Sequence, residues 1–315
     1  MMNSTTFLIG ITAATLLLSG CAQKLPQRQQ LHDDAVRRAT LADESGARTI
    51  QRAQAQQVLA ISEQLSVYSP QHLQAGNEQL SKAQNTLSRG KNDQQVKTEA
   101  LLAFNIYNAG LANKVAVQKR LTPSNEHLAV LRTLYADRAF PSELQAIEGT
   151  IPTLIDLHER QRLSDFEQQQ RELHQRMTAL EIKTVEFQHL HRIKQDLAKT
   201  EQLGGAKIAP QSWQVAQETL AQAQALIAAT PRALADIQQA AHATDRASQH
   251  VAHITAFSTE VLNAKRNEAE ATALKVEQWL YQIAITLQHD DIRHLPFDQQ
   301  IESYRKAIQA LQRQR

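Results

Sequence analysis

Apolar residues recur every three or four positions through most of this chain, and glycine or proline interrupts the pattern at a few places. Spacing of three and four places side chains on one face of an α-helix. In residues 71–89 the order is a strict 3-4-3-4, carried by Leu73, Gly76, Leu80, Ala83 and Leu87. The pattern predicts an all-α protein.

The glycine and proline positions divide this pattern into separate predicted helices. The predicted helices cover residues 27–69 with an interruption only at Gly46, 71–89, 92–121, two short segments beside Thr122-Pro123-Ser124 and Phe140-Pro141-Ser142, 152–202, a segment from Pro210 to Thr230-Pro231, 232–288, and a short segment after Pro296. The two longest would measure about 75 and 85 Å at a rise of about 1.5 Å per residue.

An internal repeat appears when the sequence is shifted by 140 residues. PQHLQAGNEQLSKAQ (70–84) then faces PQSWQVAQETLAQAQ (210–224), with identical residues at seven of 15 positions. The break at Gly90 faces the break at Thr230-Pro231. The shift therefore predicts two related helical hairpins, each a helix of about 19 residues packed against a longer one.

The predicted seams of these hairpins mix leucine with alanine and glycine, which lets two helix axes approach closely. Ala83 and Ala223 occupy equivalent seam positions in the two alignments. Long helices with such seams predict an elongated fold of antiparallel helical hairpins, a coiled-coil-like rod.

Composition agrees with a helical protein and limits its partners. Aromatic residues make up only 4% of the chain, and the 34 basic and 32 acidic residues are intermixed. Nucleic acid is not expected as a partner, because no basic face stands out. The chain has one cysteine, so it forms no intramolecular disulfide.

The amino terminus carries an apolar run of 12 residues, Phe7 to Leu18. A membrane-spanning helix needs about 20 residues, so the run fits the apolar core of a signal peptide. Leu18-Ser19-Gly20-Cys21, which follows it, resembles the lipobox of bacterial lipoproteins. The alternative is a lone buried cysteine behind an ordinary signal peptide.

The lipobox resemblance implies cleavage after Gly20 and attachment of lipid, including palmitate, to Cys21. Two or three acyl chains give a stable membrane anchor, whereas one chain binds only marginally. By the same resemblance, Ala22 in place of aspartate favours transfer to the outer membrane. The expected location is the periplasmic side of that membrane.

The two repeat segments, about 69–118 and 209–258, resemble a family of short helical domains of unknown function. The shared pattern is Pro-x-x-[Leu/Trp]-x-x-small-x-x-x-Leu-x-x-Ala, followed by an alanine-rich helix. Such domains occur in periplasmic lipoproteins and, in some proteins, ahead of an OmpA-like peptidoglycan-binding domain. The present chain has no segment with the mixed α/β pattern of an OmpA-like domain.

The search for catalytic chemistry yields no candidate. Serine-hydrolase, nucleotide-binding and zinc-protease motifs do not occur. His250 with His253, and His289 with Asp290, Asp291 and His294, group potential metal ligands. Real sites need three or four converging ligands, so solvated polar side chains are the favoured interpretation and no metal or cofactor is expected.

Two tryptophans could anchor a protein partner, since exposed tryptophan is often an interaction hot spot. Trp213 takes the seam position of Leu73 in the other repeat segment, which favours packing in the core. For Trp279, beside Leu280 and Ile283, core packing and partner binding are both open.

The expected organisation has four parts: a signal peptide at 1–20, an amino-terminal helical region at 21–121, short helices and a long connecting helix at 122–205, and a carboxyl-terminal region at 206–315. The favoured function is a non-enzymatic outer-membrane lipoprotein, a structural scaffold or protein-interaction module of the cell envelope that could associate with peptidoglycan. A second hypothesis is an accessory lipoprotein of a secretion, pilus or efflux assembly, and a third is a hydrolase or metal-dependent enzyme.

Overall fold

The computed structural model describes residues 25–265 and 268–313, and it contains helices and no strand within these ranges. The all-α prediction and the presence of long helices are thereby confirmed. The helices are α1 (Arg28–Leu41), α2 (Gly46–Ser62), α3 (Leu65–Tyr68), α4 (Pro70–Ser88), α5 (Asp93–Thr133), α6 (Ala136–Ala139), α7 (Pro141–Glu148), α8 (Thr150–Glu159), α9 (Leu163–Gln202), α10 (Gly205–Ile208), α11 (Pro210–Ala229), α12 (Leu234–Asn263), α13 (Ala269–Thr286) and α14 (Phe297–Arg313). None of these helices is both long enough and apolar enough to cross a membrane.

The chain forms two compact units, which divide between Thr178 and Ala179. In the first unit, α2, α4 and α5 enclose the main core. Its buried residues are Ile50, Ala53, Ala60, Leu65, Leu80, Ala83, Val96, Ala100, Ala103 and Tyr107. A second cluster lies between α1 and α5, so α5 is covered on two sides.

The α4–α5 seam is narrow because small residues line it. Gly76 lies against the ring of Tyr107, and a Cβ at that position would collide with the ring. The Tyr107 hydroxyl lies 2.8 Å from Asn77 Oδ1 and donates to it. Glycine at 76 therefore makes room for a large buried aromatic side chain between two close helices.

The second unit contains the hairpin of α11 and α12. Ala216, Ala223 and Ile227 of α11 are buried, as are Ile237 and Val251 of α12. Both seam alanines singled out by the sequence shift, Ala83 in the first unit and Ala223 in the second, are completely or almost completely buried.

α5 continues past residue 121, where the sequence pattern predicted the end of a helix, and Pro123 lies inside it. The predicted short helix beside Pro123 is therefore wrong. Proline removes one helical hydrogen bond and costs about 3 kcal/mol in a helix interior. Buried residues on both sides of Pro123 offset that cost, because Val117, Leu121, Ser124, Leu128 and Leu131 keep the 4-3-4-3 spacing.

The predicted helix over 152–202 is also wrong, because the chain turns between α8 and α9. Gln161 adopts a left-handed conformation with φ of 58°. The Arg162 amide donates to the Leu157 carbonyl at 2.9 Å, and the Gln161 amide donates to the His158 carbonyl at 3.0 Å. This pair of bonds is a Schellman motif, which ends a helix. α9 consequently has 40 residues, a length of about 60 Å.

Two further predicted helices are each divided. The segment over 27–69 stops at Leu41 and resumes at Gly46, where the Ser45 hydroxyl accepts from the Arg48 amide. It is divided again before α3. The segment over 232–288 stops at Asn263, and α13 runs back along the end of α12: Lys275 Nζ lies 2.8 Å from Glu260 Oε1.

One turn geometry recurs three times along the chain. In each case a residue in the left-handed conformation comes first, and a one-turn helix follows it. Next comes one residue with φ between −156° and −130°, and then a proline that begins the next helix. The left-handed residues are Gln64, Tyr135 and Gly204, and the prolines are Pro70, Pro141 and Pro210. The sequence shift of 140 aligns the first and third turns. For the middle turn, before α7, the sequence predicted a helix boundary at Phe140-Pro141-Ser142 but not its likeness to the other two turns, because few of its residues match theirs.

Candidate interaction surface

The carboxyl-terminal helix α14 is strongly amphipathic. Phe297, Ile301, Tyr304, Ile308 and Leu311 follow one another at intervals of four and three residues and therefore share one face. Asp298 lies in the first turn and Arg313 in the last. Both charges favour the helix, because they oppose the partial charges at its two ends.

α13 covers only part of this apolar face. Gln300 and Tyr304 are buried in the contact with α13, where Ala284 is also buried. The remaining large side chains of the face stay in solvent. Their exposed fractions are Phe297 39%, Ile301 51%, Ile308 41% and Leu311 51%. The hairpin of α13 and α14 thus leaves a row of apolar side chains uncovered.

The turn between α13 and α14 is held by His289. Its Nδ1 donates to the Asp290 carbonyl at 3.0 Å, which leaves Nε2 to accept from the Ser303 hydroxyl at 3.1 Å. The ring also lies edge-on to Tyr304, with centroids 5.3 Å apart. These contacts hold the middle of α14 against the turn that follows α13 and so help to set the direction of the apolar face.

α13 adds exposed apolar residues of its own, including Leu274 and Ile285. Trp279 is 50% exposed. Its ring lies 5.6 Å from the ring of Phe257 and 5.7 Å from Lys275 Nζ. Trp213, for which the sequence predicted core packing, is only partly buried. Of the two tryptophans, Trp279 is therefore the more accessible to a partner.

Charge is distributed unevenly along α14. Asp298 and Glu302 lie in its first half, Arg305 lies at its midpoint, and Lys306 and Arg313 lie in its second half. The Arg305 guanidinium donates to Glu302 at 2.8 Å, and this hydrogen bond lowers the pKa of the Glu302 carboxyl. The helix therefore presents an acidic first half and a basic second half beside its apolar face.

A polar groove of about 810 Å³ lies between the start of α1 and the facing sides of α4 and α5. The buried carboxylate of Glu99 borders it and accepts from Thr86 Oγ1 at 2.5 Å and from Gln95 Nε2 at 3.2 Å. Lys82 Nζ lies 3.4 Å away. Because these groups belong to α4 and α5, the carboxylate joins the two helices.

The residues predicted for lipidation and signal cleavage, Leu18, Ser19, Gly20 and Cys21, lie outside the described residues.

His250 and His253 are exposed on α12. Asp291 pairs with Arg293, with 2.7 Å between Oδ2 and Nη2, and this pairing lowers the pKa of Asp291 to about 2. Within residues 25–265 and 268–313, no three or more histidine, cysteine or acidic side chains are grouped so that they could hold a metal ion.

No protein-family model, curated protein or solved structure matches this chain. The resemblances to the lipobox and to the short helical domains therefore stay predictions.

The apolar face of α14 was not singled out from the sequence, although a short helix after Pro296 was predicted. The 4-3-4-3 spacing of its apolar residues is the signal that identifies it.

Proposed function

We propose that this chain is a lipid-anchored scaffold protein of the bacterial cell envelope, without catalytic activity of its own. Cys21 attaches it to the periplasmic face of the outer membrane, and its helical body presents a protein-binding surface. The surface is the apolar face of α14, formed by Phe297, Ile301, Ile308 and Leu311.

The exposure of this face is the observation that carries the proposal. Contiguous exposed apolar patches on soluble domains mark interaction sites, because their burial against a partner is favourable. In the first unit, the hairpin of α4 and α5 is covered by α2, and its apolar face is buried. α14 keeps its face open although its spacing is as regular as that of α4.

The lipid anchor predicted at Cys21 complements this surface. Anchoring confines a protein to the membrane surface and thereby raises its effective concentration for partners in the same layer. The long helices of the body, of which α5 has 41 residues and α9 has 40, suit a structural role. Anchor and apolar face together support a scaffold more directly than they support an enzyme.

Photo-crosslinking in cells tests the surface. A photoreactive amino acid is placed at Ile301 or Ile308 in the full-length protein, and at exposed Gln299 on the opposite side of α14 as the control. Protein adducts are expected at Ile301 and Ile308 and not at Gln299. Equal adduct yields at all three positions, or none at any, would reject the proposed surface.

A further inference from the structure

We infer that the apolar face of α14 binds the same face of α14 in a second copy of this chain, with the two helices antiparallel. The inference rests on the proposed function, because it names the partner of that interaction surface. It depends on three features of α14: the spacing of its apolar residues, the distribution of its charges, and the symmetry that both create.

The apolar spacing suits pairing with another helix. Intervals of four and three form the seam of two-helix packing, in which side chains of each helix fill gaps on the other. The four exposed members, Phe297, Ile301, Ile308 and Leu311, extend over nearly the whole helix. With 17 residues, α14 offers a seam of about 25 Å.

The charges select the direction of the second helix. Antiparallel pairing brings the acidic first half, with Asp298 and Glu302, beside the basic second half of the other copy. Parallel pairing would place like charges beside each other, which is unfavourable. The macrodipoles of two antiparallel helices also oppose each other favourably. α14 is thus complementary to itself in one direction only.

A two-fold axis between residues 304 and 305 gives the register. A symmetric interface uses the same patch on both copies, so residue i contacts residue j and j contacts i. With this axis, Ile301 faces Ile308 of the second copy and Phe297 lies beside its Leu311. Each exposed apolar side chain of the face then acquires an apolar neighbour.

A membrane surface is the competing occupant, because an amphipathic helix with basic residues can lie at a lipid interface. In α14, however, acidic Asp298 and Glu302 lie in the same helix as its basic residues. Anionic lipid would repel this acidic half, whereas a second antiparallel copy matches it. The charges therefore favour the second copy.

Cysteine crosslinking of the full-length protein in cells tests both partner and direction. Cys21 is the one native cysteine, and the parent chain serves as background. Two differently tagged forms are coexpressed, one with Ile301→Cys and one with Ile308→Cys, and disulfide-linked dimers are separated without reductant. This mixed pair is compared with two same-site pairs, which carry Ile301→Cys in both tagged forms or Ile308→Cys in both. A pair of Gln299→Cys and Gln309→Cys on the polar face is the matched control.

Antiparallel pairing predicts a disulfide-linked dimer band for the mixed pair and no such band for either same-site pair. Same-site positions would be offset by seven residues, about 10 Å along the axis, and a disulfide needs Cα atoms within about 7 Å. The polar-face pair should stay at the background of the parent chain.

Bands from the same-site pairs without a mixed band would indicate parallel pairing and overturn the inference. Absence of all bands, with photo-adducts of Ile301 to another protein, would overturn the second copy while the proposed function stands. Absence of all protein adducts, with crosslinking of Ile301 to lipid, would overturn both.

Discussion

The imidazole of His72 and the carboxylate of Glu159 meet in the interior of the first unit, with 2.7 Å between Nδ1 and Oε1. The same oxygen accepts from the backbone N–H of His72 at 2.8 Å. His72 lies in the first turn of α4, where amide groups have no partner within the helix. The side chain of Ser69 does not cap this helix. Glu159, 87 residues later, supplies the missing acceptor from the end of α8.

Neighbouring contacts join the same elements. His158 Nδ1 donates to Asn113 Oδ1 at 2.8 Å, and Asn113 Nδ2 donates to Ser69 Oγ at 2.7 Å. Burial and the positive charge of Arg120 lower the pKa of His158, with a smaller opposing effect from Glu159. The turn before α4, the middle of α5 and the end of α8 are therefore linked through buried and partly buried polar groups.

Glu159→Ala should destabilise the protein by about 1–3 kcal/mol, because it leaves the amide and Nδ1–H of His72 buried without their acceptor. Urea unfolding followed by circular dichroism measures the effect. Glu126→Ala on the exposed side of α5 is the control, and it should stay within about 0.5 kcal/mol of the parent. Equal effects of the two changes would show that the His72–Glu159 contact contributes nothing to stability.

Ala83→Leu and Ala223→Leu should each destabilise the protein by about 1–3 kcal/mol. Both alanines are buried in helix seams, and a larger side chain there forces the helices apart or distorts rotamers. The exposed residue Ala225, on the other side of α11, provides the matched control. Ala225→Leu should change stability by less than about 0.5 kcal/mol. If urea unfolding gave the same shift for all three variants, the assigned seams would be incorrect.

Stability should fall at alkaline pH through Tyr107. Burial raises the pKa of Tyr107 to about 12 from the ordinary value of 10.0. The unfolded chain then loses the phenol proton before the folded chain does, so the stability from this group is complete below pH 10 and is lost as pH rises from 10 to about 12. Unfolding free energies measured across this range should decline less steeply for Tyr107→Phe. Parallel curves for both proteins would contradict the assignment.

Pro123→Ala should stabilise the protein by up to about 3 kcal/mol, because alanine restores the helical hydrogen bond that proline removes inside α5. A more flexible unfolded chain reduces the gain by about 0.4–1 kcal/mol. Thermal unfolding of the two proteins gives the comparison. Pro141→Ala is a useful contrast, since Pro141 begins α7 and is compatible with that position. A loss of stability in Pro123→Ala would contradict a continuous α5.

Cys21→Ala should abolish lipid attachment and remove the mature protein from the membrane fraction. Metabolic labelling with an alkyne fatty acid, followed by fractionation, measures both. Ser19→Ala keeps a small residue before the cysteine and should remain labelled. Label on the Cys21→Ala protein would exclude Cys21 as the lipidated residue.

Much of the helical structure follows from local sequence. α4 was predicted over 71–89 and occupies Pro70–Ser88, since its apolar spacing is regular and Gly90 can adopt the positive φ of 63° that follows it. The stop before Gly204 was predicted for the same reason. The buried seam positions Ala83 and Ala223 followed from periodicity together with the 140-residue shift.

Tertiary contacts decided the features that local sequence could not. Leucines packed on either side of Pro123 keep α5 helical through a residue that ends most helices, and the left-handed residues Tyr135 and Gln161 carry no glycine signal. In the first turns of α2 and α4, the backbone amides of Gly46 and His72 donate to the carboxylates of Asp93 and Glu159. These carboxylates lie 47 and 87 residues further along the chain. Periodicity shows which residues share a helix face, but only the folded chain determines whether another helix covers that face. The apolar row of α14 is exposed for this reason: α13 reaches only one side of it.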